Sequence, residues 1–196
     1  MDDRRPRKRR LFVGIRLDDD VRAACTAVAE ELRRTGFAAR YEAPEKLHVT
    51  IAFLGFVEPV RLEPLVAELA RAATRAAAAT VTFDRLGGFP HDRRPRIVFV
   101  GAREPDDRFH VLAGSVRRTF AALGFTFPGD IVAHVTIARV KEPRHALPPI
   151  EVPPLTLRMR ELVLFESLAD PVRKTSRYEI LASAPLAPDD ACVTAD

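Results

Sequence analysis

The sequence predicts an α+β fold built on antiparallel-rich sheets, and three observations predict it. Strand-like stretches outnumber helical ones, and most are joined by turns or by helices that need not be crossovers. Three longer segments read as helices and are spread among the strands rather than alternating with them. The pentapeptide HVTIA occurs twice, at His48 to Ala52 and at His134 to Ala138, which suggests two related lobes facing each other.

Each element follows from local signals. Arg10 to Leu17 alternates as a strand. Asp18, Asp19 and Asp20 offer an N-cap and an acidic first turn to a helix reaching about Arg34, which Gly36 stops. Tyr41 to Pro44 is a short extended piece, and Leu47 to Leu54 is a strand. Pro59 opens a turn into a second helix, with Leu62, Leu65, Val66 and Leu69 at helical spacing, running through the alanines near Ala76 to Ala79. Thr80 to Leu86 and Arg96 to Gly101 are strands on either side of the turn-rich GGFPHDRRP. Asp106 to Leu123 is a helix that Gly124 ends, and Ile131 to Val140 is a strand. The proline-rich EPRHALPPIEVPP reads as an irregular crossover, and Leu155 to Met159, Glu161 to Glu166 and Ser176 to Ser183 as closing strands. The expected organisation is one domain over residues 10–185, between a disordered basic tail (1–9) and a frayed C-terminal tail (186–196).

Composition narrows the class. A chain of 196 residues with 47% hydrophobic content can bury an ordinary core. No apolar run approaches the roughly 20 residues that span a bilayer. The opening MDDRRPRKRRLFVGI is basic, then apolar for too short a stretch to read as an export signal. Cys25 and Cys192 stand far apart, which argues against a disulfide framework or structural zinc and fits a reducing cytosol. The net charge is +4, carried mostly by arginine, and it permits an anionic partner such as RNA without demanding one. The Ala/Arg/Pro-rich usage also fits a GC-rich coding sequence.

The repeated motif carries the chemistry. On a strand, residues two apart share a face, about 6.6 Å from each other. His48 and Thr50 then point one way with Ala52 next in line, while Val49, Ile51 and Phe53 point into the core. His134 and Thr136 repeat the arrangement, with Val135 and Ile137 opposite. One such copy is merely good strand sequence. Two matching His/Thr pairs indicate a cleft. Two histidines suit metal-free phosphoryl transfer, because one neutral imidazole removes a proton from the attacking oxygen and one imidazolium donates to the leaving oxygen. Threonine hydroxyls and an arginine can hold phosphate oxygens. Arg139 is the nearest arginine, but strand parity turns it away from His134, so it needs a bulge or the strand end to reach the site.

HVTIAFLG and HVTIAR resemble the paired HxTx signatures of the two-histidine phosphoesterases, most closely the RNA 2′,3′-cyclic phosphodiesterases, also called 2′-5′ RNA ligases. RLFVGIRL, PRIVFVG, ELVLFES and SRYEIL are similar to further strands of that family, so the resemblance covers most of the chain. It implies a bilobal fold with a pseudo-twofold axis, helices outside and a central cleft. It also implies an enzyme that opens the 2′,3′-cyclic phosphate at an RNA end to a 2′-phosphomonoester without metal, with reversible 2′-5′ ligation as a related activity that needs no nucleotide; a cytosolic monomer without cofactor is the expectation. By position His48 is the proton donor and His134 the base, with Thr50, Thr136 and Arg139 on the phosphate. The lead-in Ile131-Val132-Ala133 departs from the Pro-His that many relatives carry there. Two alternatives stay open: a sister enzyme acting on a small cyclic nucleotide or a 2′-5′ oligonucleotide, and a non-catalytic RNA-binding module.

Other residues carry weaker signals. His91, His110 and His145 read as surface or structural histidines. Arg94 and Arg96 flank a loop expected to face the cleft, Phe12 and Phe89 are candidates to stack a base, and Tyr178 to line the cleft. No HExxH, HxH or Cys/His cluster supports a metal site, and no GxxxxGK[ST] or GxGxxG supports nucleotide binding.

Overall fold

The computed structural model describes residues 7–172 and 175–188. Among these, nine strands and three α-helices run in the order β1 (Arg9–Arg16), α1 (Asp19–Arg34), β2 (Arg40–Tyr41), β3 (His48–Val57), α2 (Leu62–Thr74), β4 (Ala79–Phe89), β5 (Ile97–Gly101), α3 (Asp107–Ala121), β6 (His134–Arg139), β7 (Glu151–Met159), β8 (Glu161–Asp170) and β9 (Thr175–Pro185). The hydrogen-bonded order is β7-β4-β5-β6-β3-β1-β8-β9, with β2 attached to the end of β6, and every pairing is antiparallel. The fold is α+β, as the strand-and-turn pattern predicts.

Apart from β2, the sheet is two four-stranded halves whose inner strands meet at one residue pair. β3 and β6 share a single residue pair, Val49 with Val135. Each half contains a strand, a helix and an antiparallel neighbour ending on the HVTIA strand: β1-α1-β3 in one half, β5-α3-β6 in the other. The two expected sheets are therefore one continuous sheet, pinched at its middle.

The helices bury one stripe each. α1 packs on β6 and β7, α2 on β8 and β9, and α3 on β3 and β4. Cys25, Val28 and Leu32 face inward from α1, Leu65 and Leu69 from α2, and Phe109, Val116 and Phe120 from α3. Leu11, Val13 and Ile15 of β1 join this core, whereas Phe12 lies on the other face of the sheet with Val163, Phe165 and Tyr178. That second face carries the cleft. Asp106 caps α3 by accepting from the Phe109 N–H at 2.8 Å. Asp18 sits at the N-cap of α1, but its side chain makes no capping bond; the acidic first turn is supplied by Asp19 and Asp20. Gly36 and Gly124 follow α1 and α3 with φ of 79° and 86°, the left-handed geometry that stops a helix.

Three expectations are corrected. α2 ends at Thr74 rather than in the alanine run, because Ala77 bridges Ala187 and the Ala78 N–H donates to the Ala187 carbonyl at 2.7 Å. Tertiary pairing overrides alanine's helix propensity there. β7 begins inside the proline-rich segment, at Glu151. It is an edge strand, so Pro153 and Pro154 forfeit no essential ladder bond. The β6 strand starts at His134, not Ile131. At the ends, Arg9 belongs to β1, and Leu186 is buried. Residues 1–6 of the expected basic tail and 189–196 of the expected C-terminal tail, Cys192 included, lie outside the described residues. Cys25 is buried in the core, and burial pushes its thiol up to about 12. No helix among the described residues is long and apolar enough to cross a membrane.

Candidate active site

The register about the pinch places the motifs against each other. With Val49 opposite Val135 in antiparallel strands, His48 falls opposite Thr136 and Thr50 opposite His134. A twofold through that pair exchanges the two motifs. His48, Thr50, His134, Thr136 and Arg139, the five residues singled out by sequence, all line one cleft of about 430 Å³.

Both imidazoles are held by backbone. His48 Nδ1 lies 2.6 Å from the Lys46 carbonyl, and His134 Nδ1 lies 2.8 Å from the Val132 carbonyl. A carbonyl only accepts, so each Nδ1 carries the proton and donates. Each Nε2 is left for the cleft, and that of His48 meets the Thr50 hydroxyl at 2.9 Å. Phe12 packs 4.9 Å from the His48 ring and Tyr178 stands edge-on at 5.3 Å. Phe89 and Phe99 are edge-on to His134, at 5.1 and 5.4 Å. Burial among these rings lowers both imidazoles, His48 to about 4, and the charge of Arg139 pushes both the same way. The backbone acceptors oppose the shift without cancelling it.

Arg139 reaches the cleft through a bulge. On β6, Thr136 pairs with Phe99 and Ala138 with Val98, so Ile137 is an extra residue. The extra residue reverses strand parity beyond it. β3 repeats the device: Thr50 pairs with Gly14 and Ala52 with Val13, leaving Ile51 extra. Two expectations from regular alternation are overturned as a result. Ala52 is buried instead of lining the cleft, and Phe53 is 63% exposed at the cleft wall instead of in the core. Phe53 is the counterpart of Arg139 in the first copy.

Glu42 organises the cationic side and was not singled out by sequence. Its buried carboxylate accepts from Arg139 Nε at 2.7 Å, pairs with Lys46 and lies 3.9 Å from Arg40. Burial alone raises this carboxyl, but the hydrogen bonds and charges of Lys46 and Arg139 outweigh it and hold Glu42 below the usual range. Its own N–H donates to the Ile137 carbonyl at 2.8 Å, fixing it beside the bulge. The one available signal was the Glu42–Lys46 spacing ahead of His48; β2 is two residues long, too short to read. Arg10, Arg40, Ser167 and Ser176 also line the cleft without a sequence signal; Tyr178 lines it as the sequence suggests, and Phe12, for which the sequence favours core packing over base stacking, is buried yet borders it. Arg94 and Arg96 are exposed and line none of it. His91 and His145 are exposed, and His110 is tied to the Asp106 carbonyl at 2.7 Å. Among the described residues no three His, Cys, Asp or Glu side chains group so as to hold a metal.

A pinched antiparallel sheet with two imidazoles and two hydroxyls meeting across its pseudo-twofold defines a two-histidine phosphoesterase. Residues 15–99 match the family described as "LigT like Phosphoesterase". The chain is 33% identical over 132 residues to the RNA 2′,3′-cyclic phosphodiesterase of Archaeoglobus fulgidus, a match that spans 67% of this chain and 73% of that protein. A crystal structure from Thermus thermophilus superposes with a TM-score of 0.79 at 28% identity, covering 92% of this chain and 99% of that one. E. coli LigT complexed with 3′-AMP superposes with a TM-score of 0.68 at 27% identity, over 92% and 98%. The chain belongs to the LigT-like phosphoesterase family of enzymes.

Proposed function

We propose that this protein hydrolyses the 2′,3′-cyclic phosphate at an RNA end to a 2′-phosphomonoester by histidine acid–base catalysis. The observation that carries the reading is the pair of imidazoles on facing strands, each with Nδ1–H tied to a carbonyl and Nε2 turned to one cleft. The names of relatives as RNA 2′,3′-cyclic phosphodiesterases, and a 3′-AMP complex of a structural neighbour, support the substrate.

In this reading His134 Nε2 takes a proton as water attacks phosphorus. The P–O3′ bond breaks, and protonated His48 Nε2 gives its proton to O3′. The product carries a 3′-hydroxyl and a 2′-phosphate, and the two histidines have exchanged protonation states. Thr50 and Thr136 donate to the non-bridging oxygens, and Arg139 offsets their growing charge. Its guanidinium is pre-aimed because Nε is committed to Glu42. Burial keeps both histidines neutral before substrate binds, so the bound anion must restore the His48 proton. An RNA 5′-hydroxyl in place of water, with the same proton transfers, gives a 2′-5′ linkage.

The test is to incubate the protein with EDTA and a short RNA ending in a 2′,3′-cyclic phosphate, and follow the end by phosphorus NMR. A 2′-monophosphate is expected, and its formation is expected to stop in His48→Ala. A cyclic end left intact, or turnover only with added Mg²⁺ or Zn²⁺, overturns the proposal.

A further inference from the structure

Three hollows adjoin the cleft, and their charges differ. Beyond His134, the hollow walled by Phe89 and Phe99 carries Asp92, Glu104, Asp106 and Asp130 against Arg85 and Arg103. Beyond Tyr178, Glu42, Glu45 and Asp170 balance Arg40, Lys46 and Arg177. The third hollow, about 510 Å³, opens past Arg40 and Arg139, which line the cleft as well. It adds Lys141, Arg144 and His145, all exposed, and the carboxylate of Glu142, which is paired with Arg144 at 2.6 Å. Arg40 and Arg139 are side by side because β2 pairs with the end of β6 at that residue pair. Arg40 and Arg139, both paired with Glu42, therefore join the cleft of the two histidines to the hollow that holds Lys141 and Arg144.

Resting on the cyclic-phosphate reading, we infer that this basic hollow is the exit subsite of the RNA strand and takes the phosphodiester immediately 5′ of the terminal nucleotide. Among the described residues that line these three hollows, carboxylates outnumber cations in the first, the two balance in the second, and cations are in surplus in the third. The terminal phosphate sits at the histidines, so the next phosphate is the first group that gains from Lys141 and Arg144. Such contacts hold the backbone and ignore the base, so the subsite carries no sequence preference. They are made equally in ground and transition states, so they act on KM rather than kcat.

The experiment compares a mononucleoside 2′,3′-cyclic phosphate with a dinucleotide that ends in the same cyclic nucleotide. One added charge-assisted contact should raise kcat/KM about tenfold through KM. That advantage should shrink as salt rises, because the contact releases counterions. The double variant Lys141→Glu, Arg144→Glu should remove the advantage while turning over the mononucleotide at the unaltered rate, which also reports correct folding. Equal kcat/KM for both substrates in the unaltered protein, an advantage indifferent to salt, or one that survives the double charge reversal overturns the subsite alone. Failure to open either cyclic phosphate overturns the underlying reading as well.

Discussion

The two histidines are chemically alike but not electrically equal. His48 is driven to about 4 by burial, and the charges of His134 and Arg139 add to the shift, while Glu42 acts against it. His134 is lowered by burial and by Arg139. The proposed mechanism needs a free enzyme with His48 protonated and His134 neutral, and the lowering of His48 makes that form scarce at neutral pH. The kcat/KM profile, which reports the free enzyme, should therefore peak below the ordinary histidine value of about 6.5. The kcat profile should lie at higher pH, because bound phosphate favours the imidazolium. A kcat/KM maximum on the alkaline side would contradict these assignments. His48→Ala and His134→Ala should each cost at least about 10² in rate, read by single-turnover assay. Glu42→Gln removes both the anchor of Arg139 and a charge that raises His48. It should lower kcat/KM roughly tenfold and move the pH optimum further down, as pH–rate measurements would show. An unmoved optimum would leave Glu42 with a purely structural role.

At the scale of the element, the HVTIA strand works because it is not regular. The bulges at Ile51 and Ile137 twist each strand at the same place and re-aim the side chains beyond: Phe53 in one copy, Arg139 in the other. The neighbouring β1 must come very close to β3 for this. A methyl on Gly14 would meet the Val49 carbonyl oxygen at 2.6 Å, with His48 Cδ2 and Phe165 at 3.5 Å. Backbone has to move to admit it. Gly14→Ala should destabilise by about 1–3 kcal/mol in urea unfolding and lower activity by displacing His48. Retained stability and rate would show that β3 tolerates the shift.

At the scale of the whole molecule, burying two neutral histidines ties stability to acidity. An unfolded histidine takes its proton near about 6.5, whereas folded His48 resists until about 4. As pH falls through that window the unfolded chain binds the proton and the native one does not, so native stability drops across it and levels off below. His134 acts in the same direction. The thermal midpoint should fall between about pH 7 and about pH 5, and His48→Ala should flatten that fall. An equally steep fall in the variant would assign the acid sensitivity to other groups. The one residue pair that β3 and β6 share, Val49 with Val135, matters at this scale too, since it is where both histidines are brought together.

The sequence by itself determined the α+β class, the three helices, and the two histidines and two threonines, because apolar period and a repeated pentapeptide are local signals. It also stated the condition for Arg139, a bulge or a strand end. Only the tertiary structure decided that condition, since a bulge exists only relative to the partner strand that leaves one residue unpaired. The same reason put Phe53 in the cleft and Ala52 in the core, against simple alternation. Glu42 stayed invisible because its meaning lies in a partner 97 positions away, Arg139, brought beside it by a two-residue strand. Alanines 76–79 left the helix, and Pro153 and Pro154 entered a strand, because pairing with distant backbone outweighs a propensity of less than about 1 kcal/mol per residue and an edge strand tolerates a missing N–H.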